Sequence, residues 1–210
     1  MTASTHEVFN QSTAWAGANL FDGNRALKDA LAFHLPALDV SSLSTLGREA
    51  GSAEMQVHAR LANQHKPQLR DHDRYGRRID QVEFHPSYHV LLGAALRHGL
   101  HGAPWRRAPG AHIERAAAFM LFTELEPSVL CPVSMTYAVA PALRASPALH
   151  AAFGPGLAGT QYDPRFGPAS AKSALTMGMG MTEKQGGSDV RSNTTRAEFE
   201  ADSDWGRAFR

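Results

Sequence analysis

Residues 176–192 read T-M-G-M-G-M-T-E-K-Q-G-G-S-D-V-R-S, and they separate two kinds of sequence. The stretch opens with strict alternation. Leu175, Met177, Met179 and Met181 fall on one side; Thr176, Gly178, Gly180 and Thr182 fall on the other. A period of two predicts a strand. One face is a row of Leu and Met that calls for a core. The other is almost bare, and a bare strand face admits a flat ligand or another backbone at close range. Glu183-Lys184-Gln185-Gly186-Gly187-Ser188-Asp189 follows, turn chemistry dense in hydrogen-bonding groups. Strand, bare face and polar glycine loop together predict a ligand-binding edge.

Upstream the period is helical. Asp22 or Asn24 can cap a helix with Ala26, Leu27, Ala30 and Leu31 on one face, ended by Pro36. A longer helix is predicted from Asp39, Ser41 or Ser42 to Pro67. Its stripe is Leu43, Leu46, Ala50, Ala53, Val57 and Leu61. Residues 68–84 are polar and read as an exposed connector, with a brief extended piece at 78–82. Helices follow from Pro86 (Tyr88, Leu91, Leu92, Ala95 and Leu96 inward) and from near Pro109 (Ile113, Ala116, Ala117, Met120 and Leu121 inward). Ser128 can cap another that runs through Val139, and residues 147–153 add a turn. The expected organisation is an arm at 1–23, anchored by Trp15, Leu20 and Phe21; an all-α domain at 24–153; a Gly/Pro-rich linker at 154–173; and the first strands of a β domain at 174–210, with alternation again at 193–200. The fold class is mainly α.

Composition narrows the class of protein. The chain has 210 residues, 43% of them hydrophobic, which is a globular and not a disordered composition. A formal charge of +1 gives no support for bulk nucleic-acid affinity. A single cysteine, Cys131, excludes an internal disulfide framework and fits a reducing compartment. Residues 1–9 lack the basic and apolar regions of a secretory signal, and no apolar run reaches membrane-spanning length. The expected location is the cytoplasm.

Most candidate chemistry has a plainer reading. His85 and His89 have metal-ligand spacing, but no third ligand shares their phase, so they read as helix-surface or capping histidines. Cys131 has no basic neighbour and reads as a buried structural thiol. Arg74, Arg77 and Arg78, like Arg97, Arg106, Arg107 and Arg115, read as a solvated face. A dinucleotide fingerprint fails because Glu183 stands where its third glycine belongs, and no GK[ST] tripeptide is present. A simple hairpin turn explains Gly186-Gly187, but not the alternating glycines before them.

Residues 180–192, G-M-T-E-K-Q-G-G-S-D-V-R-S, resemble the first signature of the acyl-CoA dehydrogenases at every position of that pattern. The wording M-T-E-K-Q-G-G-S-D, followed by Ser192-Asn193-Thr194-Thr195-Arg196-Ala197, is similar to the AidB (alkylation-response) branch; most dehydrogenases have Pro where Lys184 stands. Val8-Phe9-Asn10-Gln11, Asn19-Leu20-Phe21, Phe84-His85-Pro86 and Leu130-Cys131-Pro132 agree with it, so the resemblance covers essentially the whole chain.

The resemblance implies an FAD enzyme in which a carboxylate takes the α proton of an acyl thioester and the β hydrogen leaves as hydride to the flavin. It implies FAD contacts from Met179, Gly180, Met181, Thr182, Glu183, Lys184, Gln185, Gly186, Gly187 and Ser188, with Thr182 and Ser188 also reaching an acyl-CoA substrate. It places the catalytic base beyond Arg210, so residues 1–210 are expected to be an N-terminal part, inactive alone. It implies a homotetramer for the longer form, and DNA contact only through a C-terminal extension. The alternative is a non-enzymatic DNA-protecting or helical oligomerisation module with structural flavin.

Overall fold

The computed structural model describes residues 5–106, 109–203 and 206–210. The chain forms two compact units, Met1–Met177 and Gly178–Arg210.

The first unit is helical. Its helices are α1 (Leu20–Gly23), α2 (Arg25–His34), α3 (Ser41–Ala50), α4 (Ala53–Gln64), α5 (Pro86–Arg97), α6 (Ala111–Leu125), α7 (Leu130–Ala142) and α8 (Pro147–Leu157). α3 packs on α1 and α6, α4 on α5, and α5 on α7. The core between them holds Leu43, Leu46, Leu91, Leu96, Leu100, Leu121, Phe122 and Val133, all essentially without solvent contact. Each such side chain is worth about 2–5 kcal/mol against truncation to Ala.

Sequence-local chemistry sets most helix starts. Asn24 caps α2 through a bond from Leu27 N–H, and His85 caps α5, accepting from Ser87 N–H ahead of Pro86. Asn19 joins the arm to the bundle. Its Oδ1 accepts from Phe21 N–H at 3.0 Å, and its Nδ2 donates to the carbonyl and hydroxyl of Ser44, each at 3.0 Å. Of the expected arm anchors, Phe21 is buried and Leu20 half-buried, while Trp15 is 76% exposed: its backbone carbonyl, not its ring, is held, by Gln56.

Five expectations for the helical unit need correction. The long helix from residue 39 is two helices: α3 ends at Ala50, and Ser52 caps α4 by accepting from Met55 N–H at 3.2 Å. The break turns the stripe, so Val57 is exposed while Met55 and Ala59 are buried. On α6 the buried face is Ala111, Ala117, Ala118, Leu121 and Phe122. Burying Phe122 leaves Ile113, Ala116 and Met120 outward. Ser128 does not cap α7; the Glu126 carboxylate accepts from Ser128 N–H at 2.9 Å and Val129 N–H at 2.8 Å. Cys131, expected in the core, is exposed, because the outward face of the first turn of α7 carries it. α8 runs on to Leu157, beyond the expected turn.

The region before the linker is not helical throughout. β1 (Gln68–His72) and β2 (Arg78–Glu83) pair antiparallel across a turn in which Asp73 accepts from Tyr75 and Arg77 N–H. β2 matches the extended piece expected there. Both strands are solvent-exposed on nearly every residue, so neither shows the alternation that reveals a half-buried strand.

In the second unit β3 (Phe199–Ser203) pairs antiparallel with β4 (Gly206–Phe209), and Phe199 meets Phe209 edge to face at 6.1 Å. The strand expected from Asn193 begins only at Phe199. The strand expected over 175–181 is absent, for among the described residues nothing pairs with it in a ladder. Its Leu/Met row is graded: Leu175 and Met177 are half-buried, whereas Met179 and Met181 are 54% and 53% exposed.

Candidate functional site

The segment 178–198 is organised by one carboxylate. Glu183 accepts from Thr194 N–H at 2.9 Å, from Thr195 N–H at 2.6 Å, and from the Thr195 hydroxyl and the Gln185 amide. These bonds, led by the Thr195 hydroxyl and backbone, hold its pKa at about 2 instead of 4.5. Glu183 is therefore an ionised brace at neutral pH. It closes a loop of eleven residues, and Asn193 adds a bond from its Nδ2 to the Met181 carbonyl at 2.8 Å. Sequence reasoning missed Asn193, Thr194 and Thr195 as part of the site. Their signal was the run Asn-Thr-Thr immediately after the signature, three residue types that close loops through side chain to backbone bonds.

Within the brace, Glu183 and Gly186 form an isolated bridge, with Gly186 N–H donating to the Glu183 carbonyl at 3.0 Å and Gly186 at φ +132°. A Cβ on Gly187 would stand 2.8 Å from the Thr182 hydroxyl, so the bare backbone of Gly187 lies against that side chain. Asp189 accepts from Arg191 N–H and starts a 3-10 turn, Val190–Ser192.

Ahead of the loop, Gly178 and Gly180 face open space: a Cβ at either would meet nothing within 4 Å. Thr182, Lys184, Gln185 and Ser188 are exposed. The structure thus brings Thr182, Glu183, Gln185, Gly186 and Gly187 together, and leaves Met179 and Gly180 on the open run before them. Exposed peptide groups, two hydroxyls and an absence of side-chain bulk fit a flat, polar-edged ring such as a flavin.

The first unit has its own polar constellation, which sequence reasoning also missed. His89 on α5 lies 2.7 Å through Nδ1 from the Tyr162 hydroxyl, beside the stacked pair Phe84 and Tyr88. Burial, together with the charges of Tyr88 and Asp163, pushes Tyr162 up to about 12, and burial lowers His89. The pair is therefore a neutral phenol and a neutral imidazole sharing one hydrogen bond, whose direction follows the imidazole tautomer. Of the basic groups, Arg70 and Arg78 pair with Glu83 and Asp80, and Arg115 lies 3.8 Å from the Tyr137 ring centroid; Arg107 and the Arg106 side chain lie outside what the structure describes.

Comparison with solved structures places the fold. A chain entitled "Bd2924 apo-form" superposes with a TM-score of 0.80 at 27% identity, covering 96% of this chain and 40% of that one. Caenorhabditis elegans ACDH-11, solved in complex with C11-CoA, gives a TM-score of 0.73 at 23% identity, over 96% and 36%. The fold is that of the N-terminal part of an acyl-CoA dehydrogenase.

The sequence profile described as "Adaptive response protein AidB N-terminal domain" matches residues 10–164, and the chain belongs to that family. It is 42% identical over 197 residues to the putative acyl-CoA dehydrogenase AidB of Escherichia coli K12, covering 92% of this chain and 36% of that protein. Acyl-CoA dehydrogenase family member 11 of C. elegans is 26% identical over 156 residues, 73% of this chain and 25% of that protein. The chain therefore spans about a third or less of the curated relatives it matches.

Proposed function

We propose that this chain is the flavin-cradling N-terminal part of an FAD-dependent, acyl-CoA dehydrogenase-like oxidoreductase acting on CH–CH groups. The observation that carries the reading is the open backbone at Gly178 and Gly180, running directly into a braced loop that presents the Thr182 and Ser188 hydroxyls. Residues Met179 to Ser188 would hold the cofactor, with Thr182 at its polar edge and Thr182 and Ser188 toward an acyl-CoA substrate. Bound FAD would supply the hydride acceptor. Gly187 keeps space for the Thr182 side chain, and the Glu183 brace fixes the loop.

The base is proposed to lie outside residues 1–210. A general base works best with a pKa near the operating pH. Glu183, at about 2 and engaged by four donors, is unfit for that role. Purified 210-residue chain should thus give no reduction of an artificial electron acceptor with acyl-CoA and FAD. Turnover by this chain would refute the assignment of the base.

An assembly role is favoured by a separate observation. Val8 and Phe9 on the arm are strongly exposed, Phe9 by 91%, and so is Trp15. We read the arm as a contact in a homotetramer of the longer protein. Sedimentation of that protein with Phe9→Ser should show loss of the tetramer; an unchanged tetramer would remove the arm from the interface. No helix among the described residues is long and apolar enough to cross a membrane, and the proposed location is the cytoplasm.

A further inference from the structure

We propose that a second cavity, remote in sequence from the flavin-cradling loop, binds a small amphipathic carboxylate. The cavity lies where the end of α7 and the length of α8 meet the 3-10 turn Ala103–Arg106, and its volume is about 240 Å³. Its walls include Ala140, Pro155 and Leu157, with the ring of Trp105 on one side. Among the described residues, the polar side chains lining it are Arg144 and His150, and no acidic residue lines it.

Three features select the ligand. The first is charge. Among the described residues, the Arg144 guanidinium has no acidic partner. It sits over the Trp105 ring at 5.4 Å, and among the described residues the His150 imidazole has no hydrogen-bond partner. A guanidinium matches a carboxylate with two parallel bonds, and an imidazole N–H can add a third. The second is polarity. Away from these two groups the walls are alkyl and aromatic, so the body of the ligand is apolar. The third is size. A cavity of about 240 Å³ falls below the roughly 300–1,000 Å³ of pockets for drug-sized ligands, which suits one ring or a short branched chain and not an acyl-CoA. A single-ring monocarboxylate of the phenylacetate type satisfies all three. Trp105 is fixed to report on it, since its indole N–H donates to the Tyr137 carbonyl at 2.8 Å.

The test is a titration of the 210-residue chain with phenylacetate, followed by amide and indole NMR shifts. The expected result is a saturable shift of the Trp105 indole and of the Ala151 and Leu157 amides. Phenylacetamide, the same shape without charge, should bind at least tenfold more weakly, and Arg144→Gln should weaken phenylacetate by a similar factor. Arg144 is exposed, so this variant keeps the fold, and unshifted amides in α5 and α6 check that. Arg144→Lys should restore part of the affinity. The proposal is overturned if no saturable shift occurs up to the solubility limit, if acid and amide bind equally, if Arg144→Gln leaves affinity unchanged, or if the shifts map away from α7 and α8.

Discussion

Glu183 shows how one residue can define a site without entering its chemistry. Its carboxylate gathers the two N–H groups and hydroxyl of Thr194-Thr195, so the charged form is the folded form. With the folded pKa depressed from 4.5 to about 2, the brace contributes fully above pH 4.5 and is lost as pH falls through about 2. Hydrogen exchange should therefore show the Thr194 and Thr195 amides protected at neutral pH and released in acid, and Glu183→Gln should release them at neutral pH. Equal exchange in the two proteins would deny the brace. His101 has a different balance. It is fully buried, with Nε2 2.8 Å from the Gly159 carbonyl and Nδ1 without a partner among the described residues. Burial lowers its pKa below 6.5, partly opposed by the Gly159 carbonyl and helped by Arg115. The unfolded chain takes the proton first, so this contribution is present above about pH 6.5 and lost as pH falls below it. The urea midpoint should fall from about pH 7.5 to about pH 5.5, and fall less in His101→Gln, which keeps a donor for Gly159 without titrating. Identical pH slopes would exclude His101.

At the scale of elements, close approach of backbones sets the first unit. α1 sits on α3 at Gly47, where a Cβ would come within 2.3 Å of Asn19 Oδ1 and 2.6 Å of Phe21 N. Gly47→Ala should cost about 2 kcal/mol in chemical denaturation, because backbone, not a mobile side-chain tip, must shift. A loss under about 0.5 kcal/mol would mean that α1 is loosely held. The same scale shows what was legible beforehand. Caps and prolines were: Asn24, His85 with Pro86, and Pro36 each mark a boundary by local chemistry. Gly51-Ser52 was the overlooked stop, because an apolar stripe runs across it and a period does not reveal a break in axis. β1 was hidden because both its faces are wet, and β2 was legible only as a brief extended piece. The missing 175–181 strand teaches the converse. Its alternation was read correctly as residue pattern, but a strand exists only with a partner ladder, and none lies among the described residues. In the candidate site the glycines and hydroxyls were legible as composition. The brace was not, since Glu183 meets Thr194 and Thr195 eleven and twelve residues away, through geometry that no local spacing rule encodes.

At the scale of the molecule the two units differ in what holds them. Met1–Met177 has a continuous apolar core; Gly178–Arg210 has one hairpin, an aromatic pair and a carboxylate brace, and none of its described residues is buried. An isolated hairpin is marginal in water. Amides of β3 and β4 should accordingly exchange faster than those of α5 and α6, by orders of magnitude. Equal protection would mean that the second unit has a core the description lacks. Residues 178–188 are proposed to receive the flavin. The most direct test is an FAD titration of the 210-residue chain, read by amide shifts residue by residue. The expected result is saturable shifts concentrated at Gly178 to Ser188 and abolished by Gly180→Val, which fills the open backbone. No saturable shift in that segment at millimolar FAD, or binding that Gly180→Val leaves intact, would contradict it.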